Sequence, residues 1–267
     1  EPILVRAGDK AFSAKVPNLA FDAEGRPWVV FRSYESTRSG ANVDIWAVHA
    51  TDSSMREWTE PVRISSDEES ARGGAGTSGA PAFVGEGLVI VFDIDGEMAG
   101  YSGDYRAVEE MRSETAGRFQ GTHDYMLISD GERAHLAYHR PTESGQVMAY
   151  RYWTPGGGWS ERLDVGDTGT HATAMAVDGD GNVWVFYGFK SAFGFRVLEK
   201  GETDFGPFRC AVVIPETRQA GSPWLSAAGG VGGEVGIAWM EKPGEFWEVR
   251  FRTLNLEAET GDGTCEG

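Results

Sequence analysis

Long apolar runs are absent from this 267-residue chain. No stretch approaches the roughly 20 residues a membrane helix requires, so no helical span is expected. Cysteine is scarce, with only Cys210 and Cys265, far apart and flanked by neither Cys nor His. That spacing excludes a Cys-based zinc site and a Cys-x-x-Cys redox pair. Positive charge is in deficit, since Lys+Arg is 24 against Asp+Glu 41, a formal net charge of −17. Such a chain repels phosphate backbones, which argues against nucleic acid as a partner. Helical periodicity is nearly missing as well. Only Tyr105–Ser113 can be read as a helix, and it reads equally well as an edge strand.

The chain starts at Glu1 without Met or a signal-peptide pattern, which leaves either a removed targeting segment or a trimmed start. Cys210 and Cys265 are either a bridge that ties down the tail or two unrelated thiols. A bridge suits an oxidising compartment, and a secreted or periplasmic location is the expectation.

What the chain has in abundance is Gly (37), aromatic residues (12 %) and a degenerate repeat. The clearest copies are Asn18–Phe31 and Ala174–Tyr187. Each is a short apolar strand, then Asp-x-x-Gly-x-x-Trp, then an apolar-aromatic strand. Asp22, Gly25 and Trp28 match Asp178, Gly181 and Trp184. Asp and Gly shape a turn while β-branched and aromatic residues fill its flanks, so each copy predicts a β-hairpin. Weaker copies are Ala80–Phe92, Tyr125–Tyr138 and Trp224–Trp239. The copies recur at roughly 43 to 64 residues, the spacing of propeller blades.

A second strand pair follows the hairpin in the first copy (Asp44–His49, Trp58–Ser65) and the third (Val147–Trp153, Trp159–Gly166). Four strands per unit is blade anatomy. The last unit reads as three strands only, and Glu1–Gly8 resembles the fourth strand Glu60–Ser65. The expected fold is therefore all-β: one five-bladed β-propeller over 1–267, with blades near 14–66, 77–115, 121–166, 169–215 and 220–257 plus 1–8. Ile3–Arg6 would pair with the last blade and remove an open edge.

These repeats resemble the sialidase-type (BNR-like) repeats of carbohydrate-active propellers. The Ser-x-Asp-x-Gly-x-x-Trp box of sialidases, which joins a later strand pair, is missing. The resemblance therefore bears on architecture more than on chemistry.

In a propeller, residues before the first strand of a blade and after its second strand share one face. This reasoning gathers Lys15, Arg32, Tyr34, Glu35, Asp93, Asp95, His123, Asp124, His139, Arg140, His171, Tyr187, Lys190, Glu241 and Lys242 near one rim. Three of the five histidines fall there, and two Gly-Thr-His motifs, ending at His123 and His171, occupy equivalent points of neighbouring blades. Imidazoles serve at neutral pH as bases, acids or metal ligands, so a divalent metal at this cluster is one reading. The alternative is that these histidines pack between blades. Arg32, Arg140, Lys190 and Lys242 read as a cationic funnel for an anionic ligand. His49 and His135 alternate with apolar neighbours and read as structural or surface residues, Asp22 and Asp178 as turn formers. Trp224, at a strand start, is the candidate sugar platform, whereas Trp46, Trp58, Trp153, Trp159 and Trp239 read as packing. Asp93-x-Asp95-Gly96 hints at calcium but lacks the other ligands of an EF-hand loop.

The order His123, His139, Tyr187, Arg196 resembles the His, His, Tyr, Arg set of propeller-type ulvan lyases, which are longer and have seven blades. The resemblance implies a lyase that cleaves an acidic, uronate-bearing polysaccharide by β-elimination. His123 or His139 would be the base and Tyr187 the acid. Arg140, Lys190 or Arg196 would grip the carboxylate, with Arg32, His171 and Trp224 as further substrate contacts. Two alternatives stand beside it. One is a five-bladed glycoside hydrolase, with its two carboxylates drawn from Asp93, Asp95, Asp124, Glu35 and Glu241. The other is a non-catalytic, lectin-like glycan binder. In each case the partner is an oligo- or polysaccharide and the protein is expected to be a monomer.

Overall fold

The computed structural model describes residues 13–37, 40–65, 79–94, 97–107, 119–120, 125–143, 145–166, 172–188, 192–216, 225–258 and 265. All five expected hairpins form. They are β1 (Ser13–Phe21) with β2 (Pro27–Thr37), β5 (Ala80–Val84) with β6 (Gly87–Ile94), β9 (Tyr125–Ser129) with β10 (Ala134–Thr142), β14 (Ala172–Val177) with β15 (Val183–Gly188), and β18 (Leu225–Gly229) with β19 (Glu234–Glu241).

The outer strands are β3 (Gly40–His49), β4 (Val62–Arg63), β7 (Glu97–Asp104), β8 (Phe119–Gln120), β11 (Gly145–Thr154), β12 (Gly158–Trp159), β13 (Leu163–Gly166), β16 (Ala192–Leu198), β17 (Arg209–Val213) and β20 (Glu248–Asn255). They complete five antiparallel sheets among the described residues: β1–β4, β5–β8, β9–β13, β14–β17 and β18–β20. No α-helix occurs among the described residues, and no helix is long and apolar enough to cross a membrane. Tyr105–Ser113 resolves at its start into neither expected form. Tyr105–Ala107 is a single 3-10 turn, and residues 108–113 lie outside the described set. Ile3–Arg6 lies outside it too.

The hairpin turns follow from one carboxylate. Asp178 Oδ1 accepts the backbone N–H of Asp180 (3.0 Å) and Asn182 (2.9 Å), while Oδ2 accepts Asn182 Nδ2 (3.0 Å) and Trp184 Nε1 (2.8 Å). Asp22 repeats the pattern with Glu24 N, Arg26 N, Arg26 Nε and Trp28 Nε1. Gly25 and Gly181 close these turns at φ 75° and 86°, where L side chains are disfavoured. Trp28 and Trp184 are thereby fixed by their indole N–H and wholly buried by their rings. The expectation that Asp22 and Asp178 form turns holds in this detail. His49 is structural as read, stacked on Trp28 with ring centroids 4.2 Å apart and bonded to Ala50 O.

The chain divides into two compact units. The first comprises Glu1–His123, Gly131–Ala134 and Tyr152–Ser160, and the second Asp124–Asp130, His135–Arg151 and Glu161–Gly267. In the first, Trp28, Val30 and Ile45 pack against Phe83, Ile90, Phe92 and Tyr101, so sheets β1–β4 and β5–β8 share one core. In the second, Trp184, Phe186, Phe193 and Phe195 pack against Val235, Ile237 and Leu254, joining sheets β14–β17 and β18–β20. Each large apolar side chain so buried contributes about 1.5–3 kcal/mol. First strands of successive sheets adjoin within each unit: β1 beside β5 in the first, and β14 beside both β9 and β18 in the second.

Cys210 on β17 and Cys265 form a disulfide, with Cα atoms 5.1 Å apart. Of the two states open from the sequence, the structure has the bridge.

Candidate active site

The site lies in the second unit, between sheet β9–β13 and sheet β14–β17. Alternation along a strand decides which side chains meet there. Thr173 on β14 is the cross-strand partner of Tyr187 on β15, and Val185, two residues before Tyr187, pairs with Arg196 on β16. Thr173, Tyr187 and Arg196 therefore share one face, with Arg196 diagonal to the tyrosine and in reach of it.

Arg196 Nε donates to the Tyr187 hydroxyl oxygen at 3.0 Å. That hydroxyl donates in turn to the Val165 carbonyl of β13 at 3.2 Å. The phenol is 6 % exposed. Its ring rests where residue 166 has no side chain: a Cβ there would stand 2.4 Å from Tyr187 Cε2. Phe208 closes the side of the ring, centroid to centroid 5.3 Å. His139 on β10 enters the same layer, its Nε2 3.1 Å from Thr173 Oγ1. The imidazole is fully buried, at 0 % exposure.

The structure thus brings together His139, Tyr187 and Arg196 of the expected residues, through Thr173, Val165 and Gly166, which the sequence reading did not single out. A Thr two residues beyond a Gly-Thr-His motif, opposite a Tyr, was the signal present. Arg140 alternates to the other face of β10, where its Nη2 stands 3.7 Å from Asp164 Oδ2. Its Nε is buried with no hydrogen-bond partner among the described residues. Arg32, on β2, belongs to the first unit and is half-buried. His123, His171, Lys190 and Trp224 lie outside the described residues, as do Asp95 and Asp124.

Glu241, a candidate carboxylate for hydrolysis, is buried and engaged. Its Oε1 accepts Trp239 Nε1 at 2.8 Å, and Arg250 Nε lies 3.6 Å from Oε2. His135 is structural as read: Nδ1 meets the Tyr150 hydroxyl at 2.7 Å and Nε2 meets Asp130 Oδ2 at 2.9 Å. Among the described residues no group of three His, Cys, Asp or Glu could hold a metal ion.

The sequence matches no family model and no curated protein. Its likeness to known proteins is one of fold. A protein of unknown function from Dyadobacter fermentans is similar at a TM-score of 0.59 and 14 % identity, over 96 % of this chain and 79 % of that one. The α-L-arabinanase of Penicillium chrysogenum, solved with arabinobiose, is similar at 0.56 and 9 % identity, over 96 % and 98 %. The polysaccharide lyase Uly1 is similar at 0.50 and 12 % identity, over 91 % of this chain but 58 % of that one. This chain therefore spans little more than half the lyase's length. Similar solved structures include β-propeller enzymes, and the chain shares their all-β, multi-sheet fold.

Proposed function

We propose that this protein is a carbohydrate-active enzyme, a lyase that cleaves a uronate-bearing polysaccharide by β-elimination. The observation that carries the reading is the layer of buried Tyr187 and His139 with half-buried Arg196, three positions of the His, His, Tyr, Arg order, drawn together from β15, β10 and β16.

His139 is closed off from solvent, so His123, just before β9, is the base that meets substrate. It takes the proton beside the carboxylate. The electron pair forms the new carbon–carbon double bond, the glycosidic C–O bond breaks, and Tyr187 gives its proton to the leaving oxygen. No water is consumed. A positioned acid and base of this kind contribute about 10²–10⁴-fold each. Lys190, two residues past β15, neutralises the carboxylate, and His171 and Trp224 line the approach, whereas Arg140, on the other face of β10, takes no part. A cation at that carboxylate stabilises the charge that develops as the proton leaves.

In the same proposal the five sheets are blades of one five-bladed propeller domain, with Ile3–Arg6 as the outer strand of the last. The protein acts as a monomer in an oxidising compartment, secreted or periplasmic, a location that the Cys210–Cys265 bridge supports.

The test counts products. A panel of uronate polymers is digested, and new reducing ends are compared with near-ultraviolet absorbance. Elimination yields one absorbing unsaturated uronate per new end. Reducing ends without absorbance would make the protein a hydrolase, and binding with neither a lectin-like module.

A further inference from the structure

Arg196 was one of three residues, with Arg140 and Lys190, offered as the grip on the substrate's carboxylate, yet its Nε is directed at the Tyr187 hydroxyl. We propose that Arg196 works through Tyr187: its guanidinium holds the phenol oxygen in place and steadies the phenolate left when the tyrosine gives up its proton. Arg196 is then a positioning residue and not a contact of the substrate. This rests on the eliminase reading for its catalytic consequence, but not for the contact itself.

The phenol oxygen has one proton and two lone pairs. Its proton lies toward the Val165 carbonyl at 3.2 Å, and one lone pair receives Arg196 Nε–H at 3.0 Å. Turning the proton from Val165 to a leaving oxygen needs only rotation about the phenol C–O bond. The bond from Arg196 survives that rotation because it ends on the oxygen. Once the proton has gone, a neutral–cation contact becomes an anion–cation contact in a partly buried layer, where such contacts are stronger than in bulk water.

The ring itself cannot swing away. Gly166 lies against one side, where any Cβ would clash, and Phe208 lies on another. Other charged groups near the layer are engaged elsewhere. Asp164, beside Val165, is half-exposed and turned toward Arg162 (3.0 Å) and Arg140 (3.7 Å). Arg209 of β17 donates to Leu256 O at 2.8 Å. His139 Nε2 stands 3.1 Å from Thr173 Oγ1. Among the contacts described, Arg196 is a cation that meets the phenol oxygen.

The experiment uses the full chain and three variants, Arg196→Gln, Arg196→Lys and Tyr187→Phe. Circular dichroism checks that each is folded, and Arg196→Lys keeps a cation should Arg196→Gln unfold. Ultraviolet difference titration against Tyr187→Phe isolates the ionisation of this one phenol. The expected result is that ionisation moves up by about one pH unit in Arg196→Gln, the size of effect a neighbouring cation exerts, and less in Arg196→Lys. On a polymer that is turned over, kcat falls about tenfold with KM unchanged, and the alkaline limb of the pH–rate profile moves with the phenol. An unmoved phenol overturns the proposal, and so does a raised KM at constant kcat, which would return Arg196 to the carboxylate. If no polymer is turned over, the eliminase reading fails while the titration still decides the assignment.

Discussion

Trp184 donates its indole N–H to Asp178 Oδ2 at 2.8 Å, and Trp28 does the same to Asp22 at 3.0 Å, in two separate sheets. One carboxylate per hairpin thus satisfies the turn's backbone and pins the ring that fills the sheet's core. Asp178→Ala leaves several buried donors without an acceptor. It should lower stability by about 3 kcal/mol, read as an earlier urea midpoint at constant slope.

Acid should act through Asp22. Burial pushes its carboxyl up, but hydrogen bonds from Trp28 and Arg26 and the Arg26 charge outweigh it and hold the group below the ordinary carboxylate range. A depressed folded value contributes stability that is present above the ordinary range and fades as pH falls through the folded value. Wild type should therefore lose urea resistance on acidification more steeply than Asp22→Asn. Tyr101 gives the opposite limb. Burial, then the Asp104 charge, pushes its phenol up to about 12. Its contribution should be lost as pH rises from about 10, the ordinary tyrosine value, toward that figure. Tyr101→Phe should flatten this alkaline loss.

Met55 adopts φ 61° in the turn between β3 and β4, where Trp58 Nε1 donates to its carbonyl. A left-handed conformation costs a residue with a Cβ about 1–2 kcal/mol. Met55 is 37 % exposed, so little packing opposes its removal. Met55→Gly should raise the melting temperature, with a net gain of about 1 kcal/mol after glycine's greater chain entropy. A fall would show that the Met55 side chain matters more than its backbone.

The hairpins were legible because Asp, Gly and Trp at fixed offsets encode a turn chemically. Outer strands were less so. The expected strand Trp159–Gly166 is split into β12 and β13, because Ser160 bonds back to Tyr152 through both backbone and hydroxyl and the chain then leaves the ladder. The Asp130–His135–Tyr150 chain was invisible, since both partners of the imidazole are supplied only by the packed sheet. The site was half legible. Tyr187, Arg196 and His139 carry recognisable chemistry, whereas Thr173, Val165 and Gly166 matter only through cross-strand register and sheet-to-sheet contact.

Cys210 and Cys265 close a loop of 55 residues. By chain entropy such a bridge contributes about 4 kcal/mol. Cys265→Ser, paired with Cys210→Ser to avoid a free thiol, should melt well below wild type. A reductant should lower wild type and leave the double variant unmoved.

The central claim is elimination with Tyr187 as the acid. Initial rates of near-ultraviolet absorbance on the best-cleaved uronate polymer, for wild type, Tyr187→Phe and His123→Ala, test it most directly. The account predicts an absorbing product from wild type and a loss of about 10²-fold or more in each variant, with Tyr187→Phe still folded. Wild-type rates in folded Tyr187→Phe, or cleavage that never generates absorbance, would contradict it.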